Sequence, residues 1–274
     1  MITLVVNSRG CAKTELKTPR LYSGAETSDL HFAMRFIKKE YPITKIIGCG
    51  FSLGANILTK YCAEYKNNVF DGIISIANPY CFITTSNALH RSVLGKVYSR
   101  RIASNLKENI LSNHSIFCNL EIYDKTEIED IRDLKEFDNI CTSRAFQYKS
   151  GMDYYRHASS AKYIPDLDIY TLCLHSLDDP IAYFEGIPYH EILKNDKVVF
   201  VATSVGVHIG WFSLGKERWF VDPVIEFCGL ICKRSDIFGK EGIREEKRRE
   251  SKYLFEYRGL LLSGILGYII GRLF

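Results

Sequence analysis

Three kinds of side chain in this sequence fall where acyl-transfer chemistry needs them. Ser52 lies in Gly50-Phe51-Ser52-Leu53-Gly54, the carboxylates Asp178-Asp179 stand just before Pro180, and His208 lies between Gly206 and Gly210. A serine hydroxyl becomes a strong nucleophile when an imidazole takes its proton and a carboxylate orients and stabilises the imidazolium. The pattern Gly-x-Ser-x-Gly alone arises by chance in roughly one chain in ten of this length, given ordinary Gly and Ser usage. Its surroundings make it specific. The apolar run Lys45-Ile46-Ile47-Gly48-Cys49 leads into it, and a helical pattern from Ala55 through Leu58 to Tyr61 and Cys62 follows at once. Strand, tight turn and helix is the setting of a nucleophile elbow, with the two glycines letting strand and helix pass and the serine oxygen pointing away from the sheet. Leu53 then offers a backbone N–H to an oxyanion, helped by the positive end of the helix.

Positioning three such groups requires strands that end near one another. Short apolar runs at Ile2–Val6, Lys45–Cys49, Gly72–Ala77, Asp168–His175 and Lys197–Ala202 read as buried strands. Helical patterns run from Thr27 as cap to Glu40, from Ala55 to Tyr65, from Ile187 to Lys194 and from Val221 to Cys232. Alternation of this kind implies a mainly parallel sheet covered on both faces, with its site at the carboxyl ends of the strands. Ser52, Asp178/Asp179 and His208 each follow a strand, in the chain order Ser, Asp, His that an α/β-hydrolase fold has. From Cys81 to about Tyr163 no strand pattern occurs. Ala88–Asn105, Lys107–Ile116 and the acidic stretch Ile128–Phe137 read as helices, so this region is expected to be a helical cap insertion. The expected organisation is hydrolase core over 1–80, cap over 81–165, core again over 166–235, and a charged linker with an apolar tail over 236–274.

Composition narrows the function. A net charge of +4 over 274 residues gives no case for nucleic acid. The nine cysteines are scattered without a Cys-x-x-Cys pair and the seven histidines are dispersed, which argues against a metal site and for reduced thiols in a cytosolic setting. No cofactor is expected, because triad acyl transfer needs none.

Further motifs fall in register with the elbow: Asn7-Ser8-Arg9-Gly10-Cys11, Thr18-Pro19-Arg20-Leu21-Tyr22, Gly50-Phe51-Ser52-Leu53-Gly54-Ala55-Asn56, Asp153-Tyr154-Tyr155-Arg156-His157-Ala158-Ser159-Ser160, Asp178-Asp179-Pro180 and His208-Ile209-Gly210. Together they resemble the YheT-like α/β-hydrolases. That family includes bacterial esterases, plant embryogenesis-associated proteins, fungal medium-chain fatty-acid ethyl ester synthases/esterases and animal abhydrolase-domain lipid hydrolases. The resemblance implies a serine ester hydrolase or acyltransferase acting on medium- or long-chain acyl esters, with Ser52 as nucleophile and His208 as base. It makes Asp179 the acid, because the family's acid directly precedes the proline, and leaves Asp178 as a loop or capping carboxylate. Arg9 and Cys11 are expected to shape the loop beside the pocket, and Tyr154, Tyr155 and Arg156 to seat the cap. Trp211 and Phe212 either line an acyl pocket or pack beneath His208.

Measured against that family, the sequence is expected to be truncated at its N-terminus, without the segment that carries a second oxyanion donor and a central strand. An incomplete gene model, a sheet that closes up differently and a strand lent by a partner are the three arrangements this leaves, the first being favoured. The competing functional reading is a catalytically impaired pseudoenzyme or scaffold. At the other end, residues 259–271 run without a charge between Arg258 and Arg272, next to the basic stretch Arg244–Glu250. That tail is expected to touch a membrane, as a short anchor or an interfacial helix, or else to dock on the protein's own core. The hydrolase body would then face the cytosol.

Overall fold

The computed structural model describes residues 2–12, 14–42, 44–117, 123–213 and 217–233, and the backbone of 267–270. Four parallel strands lie side by side in chain order: β1 (Ile47–Phe51), β2 (Gly72–Ile76), β3 (Thr171–Ser176) and β4 (Val198–Thr203). Every residue of β2 and β3 is buried, as expected of strands covered on both faces. Burial in β1 alternates instead, with Gly48 and Gly50 inside and Cys49 and Phe51 exposed. The backbone of Gly267–Ile270 adds a fifth strand, β5, antiparallel to β4. The rest of the apolar tail expected at a membrane lies outside the described residues. Among the described residues no helix is long and apolar enough to cross a membrane.

Helices α1 (Ser28–Glu40) and α2 (Leu53–Glu64) pack on one face of the sheet, joining Met34, Leu58 and Tyr61 to Ile73 and Phe200. On the other face Ile74, Ile76, Leu172 and Leu174 meet Trp211, Phe220 and the helix Val221–Lys233. Between β2 and β3 the chain passes through α3 (Phe82–Arg91), α4 (Val93–Ser112), several short helices and the helix Gly151–Ala158. This stretch has an apolar core of its own around Ala103, Ile110, Phe117, Ile128 and Phe137, to which Leu16 and Leu21 contribute.

Three local expectations are corrected. Ile2–Val6 forms no strand, and its side chains are exposed, Val5 by 78 %. Among the described residues no strand flanks β1 on the side away from β2, so this run has no neighbour to pair with and its backbone stays solvated. The break between the two long helices falls at Ser92, not near Leu106. Ser92 is extended, and its hydroxyl accepts the Gly95 N–H at 2.8 Å to cap α4. Thr27 does not cap α1; its hydroxyl donates to Glu64 at 2.7 Å, and Glu26 accepts the Ser28 N–H instead.

Candidate active site

Ser52 occupies the single residue between β1 and α2. Its backbone sits at φ +49°, ψ −119°, a left-handed conformation that costs a non-glycine residue about 1–3 kcal/mol. The turn is held by the Ser52 N–H donating to Ile76 O at 2.9 Å and by Ser52 O accepting from the Ala55 and Asn56 N–H groups at 3.0 and 3.2 Å. At Gly50 a β-carbon would stand 2.6 Å from Ala55 Cα and Gly54 O, so only glycine allows strand and helix to cross there. Gly54 is different: a β-carbon would meet nothing within 4 Å. The crossing therefore constrains only the first of the two glycines.

Three strands across the sheet from β1, the loop after β4 brings His208 Nε2 to 2.9 Å from Ser52 Oγ. Its Nδ1 faces Asp179, 2.8 Å from Oδ2 and 3.1 Å from Oδ1. A ring nitrogen facing a carboxylate carries the proton, which leaves the Nε2 lone pair to accept the serine O–H. The Asp179 side chain is fully buried, while that of His208 is 17 % exposed. Two backbone donors, Ile181 N–H at 2.8 Å and Ala182 N–H at 2.9 Å, also point at Asp179 Oδ1 and fix the carboxylate. Asp178 faces elsewhere. Its Oδ1 accepts the Val207 N–H at 2.8 Å and the Ser176 hydroxyl, bracing the backbone one residue before His208.

Backbone strain gathers on the same loop. Val207, Ile209 and Trp211 have φ of 47°, 62° and 45°. Trp211 packs beneath the loop: it is buried, its indole N–H donates to Thr203 Oγ1 at 2.7 Å, and a β-carbon on Gly206 would stand 2.4 Å from that nitrogen. Phe212 points outward, 67 % exposed, with the Arg218 guanidinium over its ring.

Other motif residues build the frame around the site. Arg9 holds Asp29 through two 2.5 Å hydrogen bonds and Thr18 through a third, tying the first loop to α1. The Gly24 N–H donates to the Tyr154 hydroxyl at 2.9 Å; Tyr154 and Tyr155 are buried and Arg156 is exposed. Two contributors have roles that the sequence does not show, although Asn56 stands at the end of the elbow motif. Asn56, fully buried on α2, donates to Gly24 O and Ala158 O at 3.0 and 2.8 Å and accepts the Ser160 N–H at 3.0 Å. His175, buried in β3, donates from Nε2 to Ala182 O at 2.8 Å, the same residue whose N–H holds Asp179. Burial pushes its pKa below the usual histidine value and favours the neutral ring. A wholly buried strand gives no alternation from which such a role could be read.

A family model described as "Serine aminopeptidase, S33" (Hydrolase_4) matches residues 20–206, which takes in both Ser52 and Asp179 and ends two residues before His208. The chain belongs to this family of α/β-hydrolases. Among its relatives is the Saccharomyces cerevisiae protein named monoacylglycerol lipase, 33 % identical over 234 residues, covering 83 % of this chain and 52 % of that one. The embryogenesis-associated protein EMB8 of Picea glauca is 30 % identical over 250 residues, covering 90 % of this chain and 54 % of its own. The putative esterase YheT of Escherichia coli is 26 % identical over 220 residues, covering 79 % and 64 %. The chain thus spans about half the length of the first two relatives.

Proposed function

We propose that this chain carries the catalytic centre of a serine ester hydrolase acting on acyl lipids. The observation that supports it most is the continuous line of hydrogen bonds from Ser52 Oγ through the His208 ring to Asp179, at 2.9 and 2.8 Å, with the serine on a strained turn. Ser52 Oγ attacks the ester carbonyl as His208 Nε2 takes its proton, and Asp179 stabilises the imidazolium so formed. The Leu53 N–H opens α2, where amides have no intrahelical partner, and serves the developing oxyanion. His208 then returns the proton to the leaving alcohol. Water or a second alcohol, deprotonated by the same ring, releases the acyl group from Ser52, so hydrolysis and acyl transfer share one intermediate.

An acyl substrate suits the surroundings of the site. Phe51 before the serine, Val205 and Val207 before the histidine and Phe212 beyond it are all exposed apolar side chains. A medium- or long-chain acyl group would cover such surface, and the relative named monoacylglycerol lipase points to the same substrate class. The eight described cysteines are free thiols, in keeping with work in a reducing compartment. Hydrolysis of p-nitrophenyl esters of increasing chain length tests the reading. Turnover should rise from acetate to octanoate and vanish in Ser52→Ala and His208→Ala; turnover that survives Ser52→Ala would overturn it.

A further inference from the structure

We propose that the first turn of α4 docks this protein on an anionic lipid surface. The helix has two unlike faces. Gly95, Ser99, Ala103 and Ile110 form its buried stripe. On the opposite side of the first turn stand Val93, Leu94 and Val97, 82 %, 52 % and 55 % exposed. These are three of the larger aliphatic exposures among the described residues, and they are adjacent, since residues three and four apart share one side of a helix. The next turn, about 5 Å further along the axis, puts Arg100 and Arg101 on the same exposed side, with Lys96 beside them.

Charge decides what such a tip would meet. Residues 91–107 contain five basic side chains, Arg91, Lys96, Arg100, Arg101 and Lys107, and no acidic one. Two of these are engaged: Arg91 pairs with Glu185 at 2.8 Å, and Lys107 donates to Glu129 O and Ile131 O. Lys96, Arg100 and Arg101 remain for solvent or a partner. At the base of the turn lies a polar cleft of about 560 Å³ whose lining includes His90, Arg91, Lys135 and Glu185. Asp133, bonded to His90, and Glu185, bonded to Arg91, are the acidic groups there, and each is already paired. An apolar tip ringed by cations matches the layering of a bilayer surface, in which acyl chains lie beneath anionic headgroups. A soluble acidic protein would answer the cations but leave the three aliphatic side chains without a layer to enter.

The surface also has a place relative to the site. α3 begins at Phe82, whose ring lies with the Leu53 side chain against Gly24, and ends at Arg91, whose ion pair reaches the loop six residues after Asp179. Docking through the turn that follows would anchor an element whose two ends contact segments flanking the site, whether or not the ester chemistry proposed above is correct.

Vesicle flotation with the full chain tests the proposal, using phosphatidylcholine alone and phosphatidylcholine mixed with phosphatidylserine. The protein should float with the mixed vesicles, weakly with the neutral ones, and less as salt is raised to about 0.5 M. Lys96→Gln, Arg100→Gln and Arg101→Gln together should weaken binding on the order of 100-fold. The separate triple substitution Val93→Ser, Leu94→Ser, Val97→Ser should abolish it with an unchanged circular-dichroism spectrum. If that second variant does not fold, the charge variant decides alone. Failure of the wild type to float, or wild-type flotation of the charge variant, would overturn the proposal. So would loss of binding only on deletion of 259–274, which would make the tail the anchor. A lipid-free dimer dissolved by the apolar substitutions would assign the face to a second copy instead.

Discussion

Asp178 and Asp179, adjacent in sequence, hold adjacent residues of one loop: Asp178 takes the Val207 N–H at 2.8 Å and Asp179 takes the His208 ring, also at 2.8 Å. One carboxylate sets where the loop runs, and the other sets the tautomer of the imidazole. The pair is a division of work that residue types alone do not reveal.

The two substitutions should therefore differ in size. Asp179→Asn keeps the shape but presents an amide to His208 Nδ1, and kcat is expected to fall by about 10⁴, as for removal of a triad carboxylate. Asp178→Asn keeps one acceptor for Val207 and should cost about tenfold or less. Ester-hydrolysis rates of the two variants check this; the opposite ranking would move the acid to Asp178.

Asn56 supports the site without touching it. Replacement by Leu would leave Gly24 O, Ala158 O and the Ser160 N–H buried without their partner. At about 1–3 kcal/mol for each buried group left unpaired, partly offset by relaxation, the loss should be about 2–5 kcal/mol. Thermal unfolding should shift down by about 5–15 °C. A shift under about 2 °C would mean that water or a local rearrangement satisfies the three groups.

Asp138 gives the fold a pH dependence. It is buried in the wide π-type turn Asp138–Thr142, where the Thr142 hydroxyl donates to it at 2.7 Å. Burial raises its pKa to about 7 against an ordinary value of 3.8. A carboxyl with a raised folded-state pKa favours the folded state fully below its unfolded value. That contribution is lost as pH rises from about 4 through about 7, a change of a few kcal/mol. Asp138→Asn should flatten this slope and make the protein more stable than wild type at pH 8. Denaturant unfolding at pH 5 and pH 8 measures it, and parallel pH profiles for the two proteins would show that Asp138 is not the titrating group.

Much of this arrangement is legible in the sequence. The uninterrupted apolar runs that became β2, β3 and β4 advertise burial on both faces, and the placement of Ser52, Asp178/Asp179 and His208 after strands puts all of them at one sheet end. What is hidden depends on contacts made across the chain. Ile2–Val6 looks like a strand because its residues favour one, but a strand needs a neighbour. The elbow motif suggests that Gly50 and Gly54 act alike, and only the distances to Ala55 and Gly54 O separate them. His175 looks like an ordinary polar residue of a strand, and Asn56 closes the elbow motif without showing what it binds. Their roles come from Gly24, Ala158, Ser160 and Ala182, the last seven residues beyond His175 and the first three between 32 and 104 residues from Asn56.

The central claim, that Ser52 is an activated nucleophile, is tested most directly by treating the full chain with a fluorophosphonate at neutral pH and mapping the adduct by peptide mass spectrometry. The reagent reacts only with a serine whose proton a base removes, and it needs no choice of substrate. A single adduct on Ser52, absent in Ser52→Ala and strongly reduced in His208→Ala, is the predicted result. An unlabelled Ser52 in folded protein, or a label that persists undiminished in His208→Ala, would contradict it.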